Sequence, residues 1–144
     1  MKIAVAGVGY VGLVTAVTLA DVGHDVICLD VDKGKLKMLA EGISPIYEYG
    51  LEELMLKNRD RLEFTDDVTK YSEAQVIIIG VGTPEKEDGS ADLSAVFSVA
   101  DSIADNCSDG TVVVVKSTVP IGTCESVRRR IGESRPALGF FVVS

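Results

Sequence analysis

Short apolar runs rich in valine and isoleucine alternate along the chain with longer segments that place apolar residues at helical spacing. The apolar runs are almost unbroken, which is typical of parallel strands covered by helices on both faces. They predict strands at residues 3–6, 26–29, 62–64, 76–79, 112–115 and 140–143. The helical spacing predicts helices at residues 11–21, 33–41, 51–57, 93–106 and 123–131.

This alternation predicts an α/β fold with a Rossmann-type, doubly wound parallel sheet of six strands in the order 3-2-1-4-5-6. Ligands of such sheets bind at the carboxyl ends of the strands, near the point where the order reverses. We therefore expect the site in the loops after strands one, four and five. Asp32 and Asp92 each precede a predicted helix, and we expect both to cap it.

The length of 144 residues is that of one domain, and the composition, 47% hydrophobic and 25% charged, is that of a globular protein. A net charge of -8 gives no electrostatic basis for binding nucleic acid or an anionic membrane. The chain enters its first strand without a secretory signal, so we expect a cytoplasmic protein. Because the last strand stops just before Ser144, we expect residues 1–144 to be the front part of something longer.

The segment Gly7-Val8-Gly9-Tyr10-Val11-Gly12 matches G-x-G-x-x-G and falls between the first strand and the first helix. In this context Gly7 allows the tight turn, Gly9 lets the backbone approach a pyrophosphate, and Gly12 permits close packing of helix on strand. The free N–H groups at the helix start attract phosphate. The motif therefore predicts a dinucleotide site, and the alternative is an ordinary glycine-rich turn.

Asp30 ends the second strand, about 20 residues after the glycine turn, where the dinucleotide fingerprint places an acidic residue. A carboxylate there accepts hydrogen bonds from the ribose hydroxyls and repels a 2′-phosphate, so the predicted cofactor is NAD rather than NADP. The alternative is that Asp30 caps a helix, although Asp32 alone could do so.

Residues with hydroxyl groups follow predicted strands four and five, which lie on the other side of the point where the strand order reverses. Thr83, after strand four, can offer its hydroxyl to a cofactor, and Ser117 with Thr118, after strand five, places a hydroxyl pair near where a nicotinamide would lie. The charged segment 85–92 is interpreted as a solvated loop. Either loop alone is weak evidence for a site.

The remaining reactive residue types have structural interpretations. His24, the only histidine, is expected in a turn, and Cys28 is expected to be a small core residue. Cys107 and Cys124 lack metal-ligand spacing, so no metal site is predicted. The basic run at residues 128–130 is interpreted as a solvated helix face, with a phosphate contact as the alternative.

Four separated segments, in this order, resemble the amino-terminal domain of the UDP-glucose/GDP-mannose dehydrogenase family, most closely its members that oxidise UDP-glucose. The similarity extends over essentially the whole chain. The segments are Gly7 to Leu13, Ser44 to Glu48 with Gly50 and Leu51, Gly82 to Pro84 with Asp88 to Leu93, and Lys116 to Thr123.

The resemblance implies a dehydrogenase that oxidises the primary alcohol of a nucleotide sugar to a carboxylate, in two hydride transfers to NAD. It further implies that Asp30 and Lys35 bind the adenosine ribose, and that Tyr10 and Val11 donate backbone N–H groups to the pyrophosphate. Lys35 also has the simpler interpretation of an exposed helix residue.

By the same resemblance, Thr83 lies along the cofactor and Thr118 is a catalytic residue that sits at the nicotinamide and positions a water molecule. The family's catalytic cysteine, lysine and glutamate belong to regions beyond Ser144, as do its central helix and substrate domain. We therefore expect residues 1–144 to bind NAD without oxidising UDP-glucose.

Several functions remain open at this point. UDP-glucose is the first choice of substrate, with GDP-mannose and UDP-N-acetyl amino sugars behind it, and the longer protein is expected to be a homo-oligomer. A dehydrogenase acting on a hydroxyacyl-CoA or a phosphogluconate would use the same glycine turn, but the segments at 44–50 and 116–123 count against it. A non-catalytic NAD-binding module is the third reading.

Overall fold

Strands and helices alternate along the computed structural model, which describes residues 1–144. The strands are β1 (Lys2–Ala6), β2 (Asp25–Leu29), β3 (Leu62–Thr65), β4 (Val76–Ile79), β5 (Thr111–Val115) and β6 (Phe140–Val143). The α-helices are α1 (Tyr10–Asp21), α2 (Lys33–Ala40), α3 (Leu51–Lys57), α4 (Ser94–Asn106) and α5 (Thr123–Ser134). Short 3-10 helices at Arg59–Arg61 and Val68–Glu73 flank β3.

The six strands form one parallel sheet in the order β3-β2-β1-β4-β5-β6, which confirms the predicted fold class and strand order. The register pairs Ala6 with both Leu29 and Ile79, and it pairs Ile79 with Val115. The carboxyl ends of β1, β2, β4 and β5 are therefore level. As a result, the loops that follow these strands meet at one edge of the sheet.

Alternate residues of the central strands belong to two apolar clusters, one on each face of the sheet. Ala4 and Ala6 belong to the cluster that contains the buried residues of α4 and α5, whereas Val5 belongs to the cluster that contains those of α1 and α3. Cys28 is fully buried in the second cluster, as predicted. Cover on both faces explains why the strand sequences are almost continuously apolar.

One predicted cap is wrong by one position. Helix α4 begins at Ser94, and its N-cap residue Leu93 has no capping side chain. Asp92 accepts a hydrogen bond from the Ser94 N–H at 2.9 Å, but it does so from one residue before the N-cap. The sequence analysis also missed the 3-10 helix Val68–Glu73, because this mixed polar segment shows no apolar periodicity.

Asp32 caps α2 as predicted, since its Oδ1 accepts hydrogen bonds from the backbone N–H groups of Gly34 at 2.9 Å and Lys35 at 3.1 Å. We expect Asp32→Ala to lower the free energy of unfolding by about 1 kcal/mol, because two donors of the first turn lose their acceptor. Urea unfolding followed by circular dichroism measures this change. Asp60→Ala is the matched control, since Asp60 is exposed and pairs only with Arg59 at 3.6 Å. Equal stability of the two variants would contradict the capping role.

Candidate functional site

The glycine turn carries the chain from β1 to α1 across the edge of the sheet. Gly7 has a φ of 95°, a conformation that L side chains rarely adopt, and its N–H donates to the Leu29 carbonyl at 2.7 Å. Gly9 is the N-cap residue of α1, and no side chain caps this helix. The N–H groups of the first turn of α1 are therefore free to bind an anion.

Gly9 and Gly12 differ in what surrounds them. A Cβ atom built on Gly9 meets no atom within 4 Å, so the backbone there borders open space. A Cβ atom on Gly12 would lie 1.8 Å from the Gly7 carbonyl oxygen, because α1 passes directly against the turn. Gly12 is thus required by the protein's own packing, whereas Gly9 leaves room for something that approaches from outside.

The Asp30 carboxylate ties the end of β2 to the glycine turn. Its Oδ2 accepts a hydrogen bond from the Val8 N–H at 2.8 Å, and its Oδ1 accepts one from the Asp32 N–H at 2.9 Å. Since Asp32 caps α2, the structure gives the cap to Asp32 alone. An ionised carboxylate has about four acceptor positions, so Asp30 can still accept hydrogen bonds from a ligand.

A cleft of about 330 Å³ lies beside Asp30 at the carboxyl edge of the sheet. Gly7 and Asp30 contribute to its lining, and the rest comes mainly from α4, from the loop after β4 and from the 3-10 helix between β3 and β4. Most of the lining is apolar and includes Leu29, Val31, Val68, Tyr71, Val81 and Val99. An apolar cleft with a carboxylate beside it suits a flat heterocycle that carries a diol.

The loops after β4 and β5 are joined by side-chain hydrogen bonds. The Thr83 hydroxyl donates to the Thr118 carbonyl oxygen at 2.7 Å, and the Ser117 hydroxyl donates to the Val81 carbonyl oxygen at 2.7 Å. Ser117 is only 8% exposed, so it connects the loops rather than facing a ligand. Of the two neighbouring hydroxyl residues, only Thr118 is exposed.

The loop at residues 44–50 is attached to the start of α1. The Tyr10 hydroxyl donates a hydrogen bond to the Glu48 carboxylate, which raises the pKa of Tyr10. The Ser44 hydroxyl donates to the Ile46 carbonyl oxygen at 2.8 Å, and Ile46 packs against the α1-side core. The structure thus places the loop at residues 44–50 beside the glycine turn, a proximity that the sequence did not indicate.

Lys35 lies in the first turn of α2 and is only partly buried. Its Nζ is 4.0 Å from Asp32 Oδ2, and its side chain does not line the cleft. Lys33 Nζ forms an ion pair with the Asp66 carboxylate at 3.2 Å. Asp66 and Tyr71 both line the cleft, and sequence analysis missed them because no motif marks residues 66–71.

The thiols and the imidazole lie outside this site. Burial raises the pKa of Cys28 and of Cys107, so neither thiol is a ready nucleophile. His24 precedes β2 at the opposite edge of the sheet, in the predicted turn, with its Nδ1 3.4 Å from the amino-terminal nitrogen.

The basic run on α5 forms surface ion pairs. Arg128 pairs with Glu125 at 3.0 Å, and Arg130 donates to Asp101 at 2.8 Å. This confirms the predicted solvated helix face. Separately, none of the helices has both the length and the apolar character needed to span a membrane.

Comparison with known proteins finds the same family over nearly the entire chain. Residues 1–143 match the profile of the UDP-glucose/GDP-mannose dehydrogenase family, NAD binding domain. A UDP-glucose 6-dehydrogenase of Rhizobium meliloti is 51% identical over 148 residues, covering 100% of this chain and 34% of the relative.

Two solved structures show the same fold at lower identity. A ternary complex of GDP-mannose dehydrogenase from Pseudomonas aeruginosa superposes with a TM-score of 0.91 at 36% identity, covering 99% of this chain and 35% of that one. A UDP-D-ManNAc dehydrogenase from Pyrococcus horikoshii gives a TM-score of 0.93 at 31% identity, with coverages of 99% and 35%. The chain thus spans about a third of the length of the proteins that it matches.

Proposed function

Since the chain belongs to the UDP-glucose/GDP-mannose dehydrogenase family, as its NAD-binding domain, we propose that it holds NAD at the carboxyl edge of the sheet for the oxidation of a nucleotide sugar. The observation that carries this proposal is the position of Asp30, which lines the apolar cleft and also hydrogen-bonds the glycine turn. A carboxylate for a ribose and free N–H groups for a pyrophosphate are thus held together. These are the groups that NAD requires.

The adenosine half of NAD is proposed to occupy the cleft. Asp30 accepts hydrogen bonds from the ribose hydroxyls, with Lys35 as a second ribose contact. The adenine lies against the apolar walls. Tyr10 and Val11 donate their backbone N–H groups to the pyrophosphate, which approaches the backbone where Gly9 leaves open space.

The nicotinamide half is proposed to extend toward the loops after β4 and β5. Bound NAD supplies the acceptor for the hydride that leaves the sugar. Thr83 already donates its proton to Thr118, so its hydroxyl oxygen accepts from the cofactor. The exposed Thr118 hydroxyl lies beyond this contact, and it positions a water molecule at the reacting end.

UDP-glucose is the proposed substrate of the enzyme to which this domain contributes, and that enzyme is proposed to be a homo-oligomer. The 51% identity to a UDP-glucose 6-dehydrogenase supports this choice. The fold does not select the sugar, because relatives named for GDP-mannose and UDP-D-ManNAc superpose on this chain with TM-scores of 0.91 and 0.93. Rates of NADH formation with these three nucleotide sugars, in an enzyme containing this chain within the full family length, test this part of the proposal.

The cofactor assignment predicts a preference between two dinucleotides. We expect NAD to bind the chain with one-to-one stoichiometry and NADP to bind at least about 10-fold more weakly, because a 2′-phosphate would meet the Asp30 carboxylate. Isothermal titration calorimetry at constant ionic strength measures both dissociation constants. Absence of NAD binding, or equal affinity for the two dinucleotides, would contradict the proposed site.

A further inference from the structure

Tyr71 is a buried aromatic residue that the proposed contacts with NAD do not use. It lies in the 3-10 helix Val68–Glu73, between β3 and β4, and it is only 2% exposed. It belongs to the apolar cluster under α4 and α5, and it also lines the cleft beside Asp30. The tyrosine therefore connects the core with the inner wall of the cleft.

The hydroxyl of Tyr71 has no hydrogen-bond partner in the protein, and burial alone raises the pKa of this residue. No side-chain oxygen or nitrogen that is sealed from solvent lacks a partner anywhere in the chain. The hydroxyl therefore retains some contact with solvent, and the cleft is the cavity that Tyr71 lines. A phenol is protonated at neutral pH even at its ordinary pKa, so Tyr71 provides the cleft lining with a neutral group that can both donate and accept.

The other polar groups of the cleft differ from Tyr71 in charge or exposure. Asp30 and Asp66 are carboxylates, which only accept hydrogen bonds when ionised, and Asp66 is exposed and paired with Lys33. Ser98 is exposed on α4, and the Ser102 hydroxyl donates to the Ser98 carbonyl oxygen at 3.1 Å. Tyr71 is therefore the one buried hydroxyl in the lining.

We propose that the Tyr71 hydroxyl hydrogen-bonds the amino edge of the adenine ring and thereby determines which base the cleft accepts. The inference rests on the proposed function, since it takes the ribose to lie at Asp30. With the ribose there, the edge of the base opposite the glycosidic bond enters deepest, toward the buried tyrosine. A base that displaces water from this hydroxyl without replacing its hydrogen bond leaves a buried polar group unsatisfied, which weakens binding.

Tyr71→Phe tests the proposal because it removes only the hydroxyl. We expect the dissociation constant for NAD, measured by calorimetry, to rise by about 3- to 10-fold, the value of one neutral hydrogen bond. The urea unfolding midpoint should stay unchanged, since the hydroxyl has no partner in the protein. Tyr49→Phe is the matched control: Tyr49 is 93% exposed, and its loss of a hydroxyl should leave NAD affinity unaltered.

A second ligand separates base recognition from a general effect on the cleft. In etheno-NAD a two-carbon bridge joins N1 of the adenine to the exocyclic nitrogen, which loses both of its hydrogens and so cannot donate to the hydroxyl. We expect Tyr71→Phe to change etheno-NAD affinity by less than about 2-fold, within the smallest effects of a hydrogen bond.

The outcomes distinguish this inference from the proposed function. If the unmodified chain fails to bind NAD, the proposed function is wrong. If it binds NAD and Tyr71→Phe binds equally well, the role of Tyr71 is wrong. An equal loss of affinity for NAD and etheno-NAD would also overturn the inference, because it would show an altered cleft shape rather than recognition of the adenine edge.

Discussion

The Gly12→Ala variant is expected to lose about 4 kcal/mol or more of folding free energy, a large part of the stability of an ordinary domain. The added Cβ would lie 1.8 Å from the Gly7 carbonyl oxygen, well inside any real contact between such atoms. The backbone fixes the position of a Cβ atom, and the oxygen is itself a backbone atom, so no side-chain rotation can relieve the overlap. Urea unfolding followed by circular dichroism measures the loss.

Gly9→Ala is the matched control for this variant. It adds the same methyl group to the same turn, but the new Cβ meets no atom within 4 Å, and the φ of -72° suits alanine. Its unfolding midpoint should therefore stay close to that of the unmodified chain. Similar midpoints for the two variants would show that α1 does not depend on close approach at Gly12.

Asp30→Ala is expected to weaken NAD binding by about 1.5 to 3 kcal/mol, or roughly 10- to 150-fold, the scale of hydrogen bonds to a charged group. The substitution removes the proposed acceptor for the ribose hydroxyls and leaves the Val8 N–H without its partner. It should also narrow the difference between NAD and NADP, because the charge that opposes a 2′-phosphate is gone. Calorimetric titration with both dinucleotides measures the two effects together.

Asp30→Asn separates the two roles of this carboxylate. An asparagine oxygen can still accept a hydrogen bond from the Val8 N–H, but its NH2 group cannot accept the second bond, from the Asp32 N–H. We therefore expect Asp30→Asn to be more stable than Asp30→Ala and less selective against NADP than the unmodified chain. Asp60→Ala, which removes an exposed carboxylate, serves as the control for net charge. An unchanged NAD dissociation constant in Asp30→Ala would remove Asp30 from the binding site.

The order of the strands in the sheet could be predicted because each strand is recognisable from its own short apolar run. Unbroken apolar runs separated by helical spacing admit few arrangements once the crossovers are right-handed. The glycine turn could be predicted in the same way, because its three glycines are required by the geometry of the first strand, the turn and the first helix, which are consecutive in the chain. Asp30 could be placed at the carboxyl edge for the same reason, because it directly follows an apolar run.

The neighbours of these residues could not be predicted in the same way. Nothing in the sequence indicates that Asp30 accepts from Val8, that Glu48 accepts from Tyr10, or that Thr83 donates to Thr118 across 35 positions of the chain. Ser117 and Thr118 look alike as a hydroxyl pair, yet one is buried and the other exposed. These hydrogen bonds and the burial of each side chain depend on how the loops after different strands pack against one another.

The fold class, the strand order, the glycine turn and the acidic residue at the end of β2 could all be inferred from the amino-acid sequence, because each depends on residues close together in the chain. The groups that line the cleft beside them became evident only from the packing of the elements. Tyr71 reaches that cleft because β3 lies two places from β1 in the sheet, and the connection to β4 must pass under α4. Such positions follow from how distant elements pack, a property that no local pattern records.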